Sequence, residues 1–182
     1  MATVRAVDLL ILGLGNVLLG DDGLGAAAVA RLERGYQLPC GVRVVDGGTL
    51  GLALLGLLAE ARHVILLDAI RDGGPPGTLV RLTGDDVAPA VRDRLSPHQA
   101  GVADLLDAAR LSDCYPSSVT LLGLVPERIE LELARSAAVE ARLEDLVRAT
   151  VREAQSLGYA FRAQSGAADG DGAGGIARTL GL

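Results

Sequence analysis

Three side chains in this sequence could bind one metal ion together: Asp22, Asp68 and His98. Asp22 follows the first apolar run, Asp68 ends the third, and His98 comes directly after Ser96-Pro97, where a helix is expected to begin. Because the positive end of a helix dipole disfavours a charged imidazole, we expect His98 to be neutral at pH 7. Two carboxylates and a neutral imidazole are ligands that suit Zn, Ni, Mn or Fe(II).

Each of these residues also has an ordinary structural interpretation. Asp22 could cap the helix that starts at Gly23, Asp68 could accept backbone hydrogen bonds at a strand end, and His98 could simply lie on the surface. A shared metal site therefore depends on a chain topology that brings three distant residues to one place.

Three further polar residues lie at related positions. Asp21 is expected to be a solvated neighbour of Asp22 or a helix cap. Asp46 precedes Gly47-Gly48-Thr49, where turn chemistry is favoured over a second carboxylate at the site. His63 begins an apolar run and is expected to be structural. Asp21 and Asp46 are the nearby acids that could act as a general base.

The hydrophobic pattern predicts the elements that must position these side chains. Five short runs are predicted strands: Asp8–Leu14, Val42–Asp46, His63–Asp68, Thr78–Thr83 and Val119–Val125. Four segments are predicted helices: Leu24–Tyr36, Leu50–Glu60, one capped by Ser96 and one capped by Ser136. The segment Leu50–Glu60 is apolar nearly all round, so we expect it to be mostly buried.

The order of these elements predicts an α/β fold, a three-layer αβα sandwich around a mostly parallel, twisted, five-stranded sheet. In such sheets, ligands bind beyond the carboxyl ends of the strands where the strand order reverses. For a 2-1-3 order, this crevice separates the first and third strands, which end near Asp22 and Asp68. We expect one domain over residues 1–162 and a flexible, Gly/Ala-rich tail over residues 163–182.

Composition excludes several classes of protein. The net charge is −6, no lysine is present, and the aromatic residues are three Tyr and one Phe, which disfavours nucleic-acid binding and excludes lysine chemistry. The apolar runs are too short to span a bilayer and two cysteines make no disulfide framework, so a reduced cytoplasm is expected. Gly13-Leu14-Gly15 lacks the third glycine of a dinucleotide fingerprint, and a nucleotide-binding module is a distant alternative.

Several motifs, in order along the chain, resemble those of the hydrogenase maturation proteases. They are GLGNVLLGDDGLG at 13–25, VDGGTLG at 45–51, Leu67-Asp68-Ala69, Ser96-Pro97-His98-Gln99 and GLVPE at 123–127. The resemblance covers roughly residues 8–155. The Ser-Pro-His-Gln form is most similar to the branch that serves uptake-type nickel–iron hydrogenases.

The resemblance implies an endopeptidase that removes a C-terminal extension from a nickel-loaded hydrogenase large-subunit precursor. It also implies that Asp22, Asp68 and His98 are the metal-binding and catalytic trio, and that the metal is nickel from enzyme or substrate, with zinc or another divalent ion as a substitute. Some relatives carry Glu where this chain has Asp22, which shortens the reach to the ion by one methylene.

The alternative is a non-enzymatic nickel-sensing assembly factor that uses the same trio. Because the expected substrate is another folded protein, this small acidic domain is expected to be a monomer. Its negative charge and its short apolar runs predict that it binds neither nucleic acid nor membrane.

Overall fold

A computed structural model describes residues 6–92 and 97–164, with side chains for residues 6–89 and 101–164. Its strands and helices are β1 (Val7–Leu14), α1 (Leu24–Gly35), β2 (Tyr36–Gln37), β3 (Val42–Gly48), α2 (Leu55–Glu60), β4 (Ala61–Ala69), β5 (Leu79–Thr83), α3 (Val87–Arg92), α4 (Pro97–Leu111), β6 (Ser118–Leu124), α5 (Ala137–Ser156) and β7 (Arg162–Ala163). Two 3-10 turns, Gly20–Gly23 and Gly51–Leu54, precede α1 and α2.

The main sheet has the predicted topology. In the described part of the chain it holds five strands in the order β3-β1-β4-β6-β5. All neighbours are parallel except β5, which pairs antiparallel with β6 at one edge. The strand order reverses at β1, so the crevice between β1 and β4 is the place where this sheet is expected to bind a ligand.

Helices cover both faces of the sheet, as the three-layer prediction requires. On one face, Leu9 and Ile11 of β1 pack with apolar residues of α1 and α5. On the other face, Leu10 and Leu12 pack with apolar residues of α2 and α4. Successive strand residues point to opposite faces, so a strand covered on both sides must be apolar throughout.

The long helix α5 begins where the sequence predicts. Ser136 is its N-cap, and the Ser136 hydroxyl accepts a hydrogen bond from the backbone N–H of Val139 at 3.3 Å. The predicted apolar stripe faces the sheet, since Val139, Leu143, Leu146 and Val147 are all buried. The cap and the stripe together fix where α5 starts and which side it packs.

The prediction that Leu50–Glu60 is mostly buried is wrong. Leu50 is 61% exposed and Leu52 is 53% exposed, whereas Leu54 and Leu58 are buried. The segment is divided between a 3-10 turn and the six-residue helix α2, so it has no single long face against the sheet. The elements α3, β2 and β7 were not predicted, because such short elements carry no clear periodicity.

The end of the described chain is joined to the end of α1. Strand β7 pairs antiparallel with β2, and the backbone N–H of Gln164 donates to the carbonyl of Gly35 at 2.9 Å. The rest of the predicted tail, from residue 165, lies outside the described residues. Within residues 6–92 and 97–164, no helix combines the length and the apolar character needed to cross a bilayer.

Candidate active site

Asp22 lies in the 3-10 turn between β1 and α1, at the carboxyl end of the sheet. Its side chain is fully buried, with 0% exposure, and its Oδ2 accepts a hydrogen bond from the backbone N–H of Asn16 at 2.8 Å. The N-cap residue of α1 is Gly23, the residue after Asp22. Asp22 is therefore held by the loop that leaves β1, and it is not the cap of the helix.

Asp68 lies near the carboxyl end of β4, the strand beside β1. It is 1% exposed, and its Oδ1 accepts a hydrogen bond from the backbone N–H of Ala69 at 2.8 Å. Asp68 is thus a strand-end acid that accepts a backbone hydrogen bond, as its ordinary interpretation holds. Asp68 and Asp22 still occupy the same edge of the sheet, one from each side of the crevice.

Glycines allow the backbone segments around these two acids to approach closely. A Cβ on Gly25 would lie 2.3 Å from the carbonyl oxygen of Leu14 and 2.4 Å from that of Leu67. Gly15 has a φ of +113°, and a Cβ there would lie 1.8 Å from the carbonyl oxygen of Asp22. The amino terminus of α1 is therefore seated directly on the ends of β1 and β4. The same packing accounts for Gly15 of the Gly13-Leu14-Gly15 pattern without a nucleotide.

The expectation that Asp21 is solvated or a helix cap is wrong. Asp21 is 0% exposed. Its Oδ2 accepts from the backbone N–H groups of Glu127 and Arg128 at 2.8 and 3.2 Å. Ser136 donates to the same carboxylate twice, from its N–H at 2.6 Å and from its hydroxyl at 2.8 Å. Asp21 thus fastens the first turn before α1 to the segment that joins β6 to α5.

His98 lies in the first turn of α4, as the Ser-Pro signal predicts. Three residues further on, Gly101 packs against Gly51, which follows the carboxyl end of β3. The backbone thus places the start of α4 at the same end of the sheet as Asp22 and Asp68. The His98 side chain lies outside the described ones, and among those described no group of three His, Cys, Asp or Glu is arranged to hold a metal.

The other two candidates have structural roles. Asp46 is exposed, and its Oδ1 accepts from the backbone N–H of Gly48 at 3.0 Å, which is the turn chemistry favoured from the sequence. His63 is half-buried, with its Nδ1 2.7 Å from the hydroxyl of Ser118 and its ring tilted against Tyr159.

An apolar rim surrounds this end of the sheet. Among the described residues, seven large apolar side chains are at least half exposed, and one of them, Leu111, ends α4. The other six lie in the segments that follow β1, β3 and β6: Val17, Leu18, Leu50, Leu52, Leu131 and Leu133. Such a concentration around one crevice is typical of a surface that contacts another protein. The sequence did not predict this rim, because the type of an apolar residue in a loop does not show whether its side chain is exposed.

Comparison with known proteins supports one family. A family model described as hydrogenase maturation protease matches residues 26–153. The hydrogenase 2 maturation protease of Escherichia coli (strain K12) is 40% identical over 149 residues, which cover 80% of this chain and 91% of the relative. The hydrogenase expression/formation protein HupD of Rhodobacter capsulatus is 41% identical over 163 residues, which cover 87% of this chain and 76% of the relative.

Solved structures agree with these relatives. The hydrogenase maturating endopeptidase HybD of E. coli has a TM-score of 0.83 and 36% identity, and the match covers 87% of this chain and 98% of that chain. The [NiFe] hydrogenase maturation protease HybD of Thermococcus kodakarensis has a TM-score of 0.68 at 27% identity, with 81% and 99% coverage. The E. coli relative is named a protease, and the two solved structures are named an endopeptidase and a protease, so the non-enzymatic alternative has no support among them. The chain belongs to the hydrogenase maturation protease family.

Proposed function

We propose that this endopeptidase removes the C-terminal extension of a nickel–iron hydrogenase large-subunit precursor after nickel has been inserted. The observation that carries the proposal is the pair of buried carboxylates, Asp22 and Asp68, at the crevice between β1 and β4. A relative with 40% identity is named for the maturation of hydrogenase 2, which supports a hydrogenase precursor as the partner.

The residues that would engage the metal are Asp22, Asp68 and His98. Burial of two carboxylates costs free energy, and a bound cation offsets that cost. Two oxygen ligands and one imidazole nitrogen suit nickel, and zinc or another divalent ion could replace it. We treat the nickel as part of the loaded precursor, so that cleavage waits for its insertion. A bound ion would also polarise a nearby carbonyl and acidify a water molecule.

The chain's own contribution is to fix these ligands where water is scarce. The backbone N–H groups of Asn16 and Ala69 orient the carboxylates of Asp22 and Asp68. Because both acids are almost fully buried, their attraction to a cation is stronger than at the surface. Asp21 is assigned no proton transfer, since both of its carboxylate oxygens accept hydrogen bonds from the β6–α5 segment.

The apolar rim is the surface on which the precursor would dock. Leu131 and Leu133 are 84% and 76% exposed, and burial of such side chains stabilises a protein–protein contact. Docking of a folded partner would present its C-terminal segment to the crevice, and this positioning supplies much of the rate enhancement.

Cleavage of a purified precursor tests the proposal. Intact-mass measurement should show loss of the extension from the nickel-loaded precursor and no change in the apo precursor. Asp22→Asn, Asp68→Asn and His98→Gln should each slow cleavage by about 100-fold or more. Asp104→Asn changes an exposed acid of α4 and should cleave normally. Equal cleavage of the apo precursor would refute nickel recognition, and full activity of His98→Gln would refute the trio.

A further inference from the structure

The Asp21 carboxylate joins two segments that are far apart in the sequence. Within the described chain it accepts hydrogen bonds from Glu127, Arg128 and Ser136, which lie at the two ends of the connection between β6 and α5. All of these groups donate, so they need an acceptor with two oxygens, and a carboxylate meets that need. One buried side chain thus holds both ends of this connection.

A second set of contacts fixes the same two segments through their backbones. The N–H of Gly20 donates to the carbonyl of Glu132 at 2.6 Å, and the N–H of Glu132 donates to the carbonyl of Leu18 at 3.0 Å. Leu19 and Glu132 form a parallel bridge between these bonds. The middle of the connection therefore contacts the loop before Asp21, and the two ends of the connection contact Asp21 itself.

These contacts bear directly on Asp22. Asp21 and Asp22 are adjacent in one 3-10 turn, so a shift of the Asp21 backbone moves the Asp22 carboxylate. The connection also carries Leu131 and Leu133, the most exposed members of the apolar rim. The Asp21 side chain thus links the turn that carries Asp22 to the connection that carries Leu131 and Leu133.

We infer that Asp21 is a positioning residue, which fixes the position of Asp22 relative to the connection Glu127–Ser136. The inference rests on the proposed role of Asp22. Because both carboxylate oxygens of Asp21 accept hydrogen bonds from the protein, we assign it no contact with substrate or metal. Its loss should leave the sheet and both cores in place, because none of its partners belongs to the sheet. It should instead loosen the turn that carries Asp22 and the connection that carries the rim.

The test combines nickel titration with amide hydrogen exchange on the full chain. Asp21→Asn keeps the shape of the side chain but puts an NH₂ group where donors point. We expect nickel(II) to bind this variant about 10- to 100-fold more weakly in calorimetry, the range found when residues that support metal ligands are changed. Exchange should accelerate in residues 16–23 and 127–136 and not in β4.

A matched control separates positioning from a general loss of stability. Thr150→Ala removes a buried hydrogen bond from Thr150 to Leu146 inside α5, away from the crevice. It should lower the unfolding temperature but leave nickel affinity and exchange in both segments unchanged. If Asp21→Asn does not fold, Ser136→Ala removes one of the donors to Asp21 and should weaken nickel binding several-fold.

Each result has a distinct meaning. Nickel affinity of Asp21→Asn, or of Ser136→Ala in its place, equal to that of the wild type would overturn the inference. Asp22→Asn is measured beside it: if that variant also binds nickel normally, the proposed role of Asp22 fails. If Asp22→Asn loses nickel while the Asp21 variant keeps it, the proposed function stands and only the positioning role is wrong.

Discussion

Replacement of Gly25 by alanine would place a methyl group between α1 and two strands. An ideal Cβ would lie 2.3 Å from the carbonyl oxygen of Leu14, 2.4 Å from that of Leu67 and 2.5 Å from the amide nitrogen of Leu14. These atoms belong to the backbone of the central strands and cannot rotate away. Carbon contacts are comfortable near 3.5 Å, so the amino terminus of α1 must move by roughly 1 Å.

The cost follows from this displacement. Overpacking of this kind destabilises a protein by about 1–3 kcal/mol. For a domain of this size each kcal/mol lowers the unfolding temperature by about 2–4 °C, so we expect a decrease of about 2–12 °C. Cleavage should fall further than stability alone explains, because Asp22 lies in the turn that leads into α1 and Asp68 lies on β4, from which α1 would separate. A misplacement of about 1 Å can cost 100-fold in rate.

Thermal unfolding and precursor cleavage are measured on Gly25→Ala and on Gly35→Ala. Gly35 ends the same helix and its φ is not positive. Apart from its chain neighbours and the backbone of its own helix, no described atom lies within 4 Å of a Cβ placed there. Gly35→Ala should therefore keep its cleavage rate and gain up to about 1 kcal/mol of stability. Wild-type unfolding temperature and cleavage rate in Gly25→Ala would refute the close seating of α1 on β1 and β4.

Two further predictions concern stability. Ser136→Ala removes the cap bond from Val139 and the hydroxyl bond to Asp21, and should lower the free energy of unfolding in urea by about 2 kcal/mol. The control Ser156→Ala, at the exposed end of α5, should lower it by less than about 0.5 kcal/mol. Equal losses in the two variants would contradict the capping role. The hydrogen bonds from Arg81 lower the pKa of Glu153, because they outweigh the opposing effect of partial burial. The stability that these bonds contribute is therefore present above the ordinary carboxyl pKa and is lost as the pH falls through the lowered pKa of Glu153. Arg81→Gln should thus lose about 0.5–1 kcal/mol at pH 7, and its stability should converge with that of the wild type once the pH falls below the lowered pKa of Glu153. A loss that does not change with pH would contradict the ion pair.

The architecture could be predicted from the sequence because its strands are covered on both faces. Continuous apolar runs such as His63–Asp68 and the capping signal at Ser136 each have one simple physical cause, and both lie where they were predicted. The crevice was predicted between the first and third strands on the condition of a 2-1-3 order, and the sheet has that order in β3-β1-β4. The predicted strand Thr78–Thr83 corresponds to β5, whose antiparallel pairing with β6 the sequence pattern did not predict.

The role of Asp21 could not be predicted, because its partners lie 106 to 115 residues away. Local pattern identifies turns, caps and apolar faces, whereas a buried carboxylate that joins two loops depends on the folded chain. The prediction that Leu50 and Leu52 are buried was wrong for a related reason. Their apolar type suggests burial, but Leu50 directly precedes the 3-10 turn Gly51–Leu54, Leu52 lies within it, and both side chains are more than half exposed.

The most direct test is a crystal structure of the protein grown with nickel(II), with anomalous scattering measured at the nickel edge. The predicted result is one ion between β1 and β4, with Asp22, Asp68 and His98 each contributing a ligand at about 2.0–2.3 Å. An ion held elsewhere, or His98 turned away from the two buried acids, would contradict the assignment of the site.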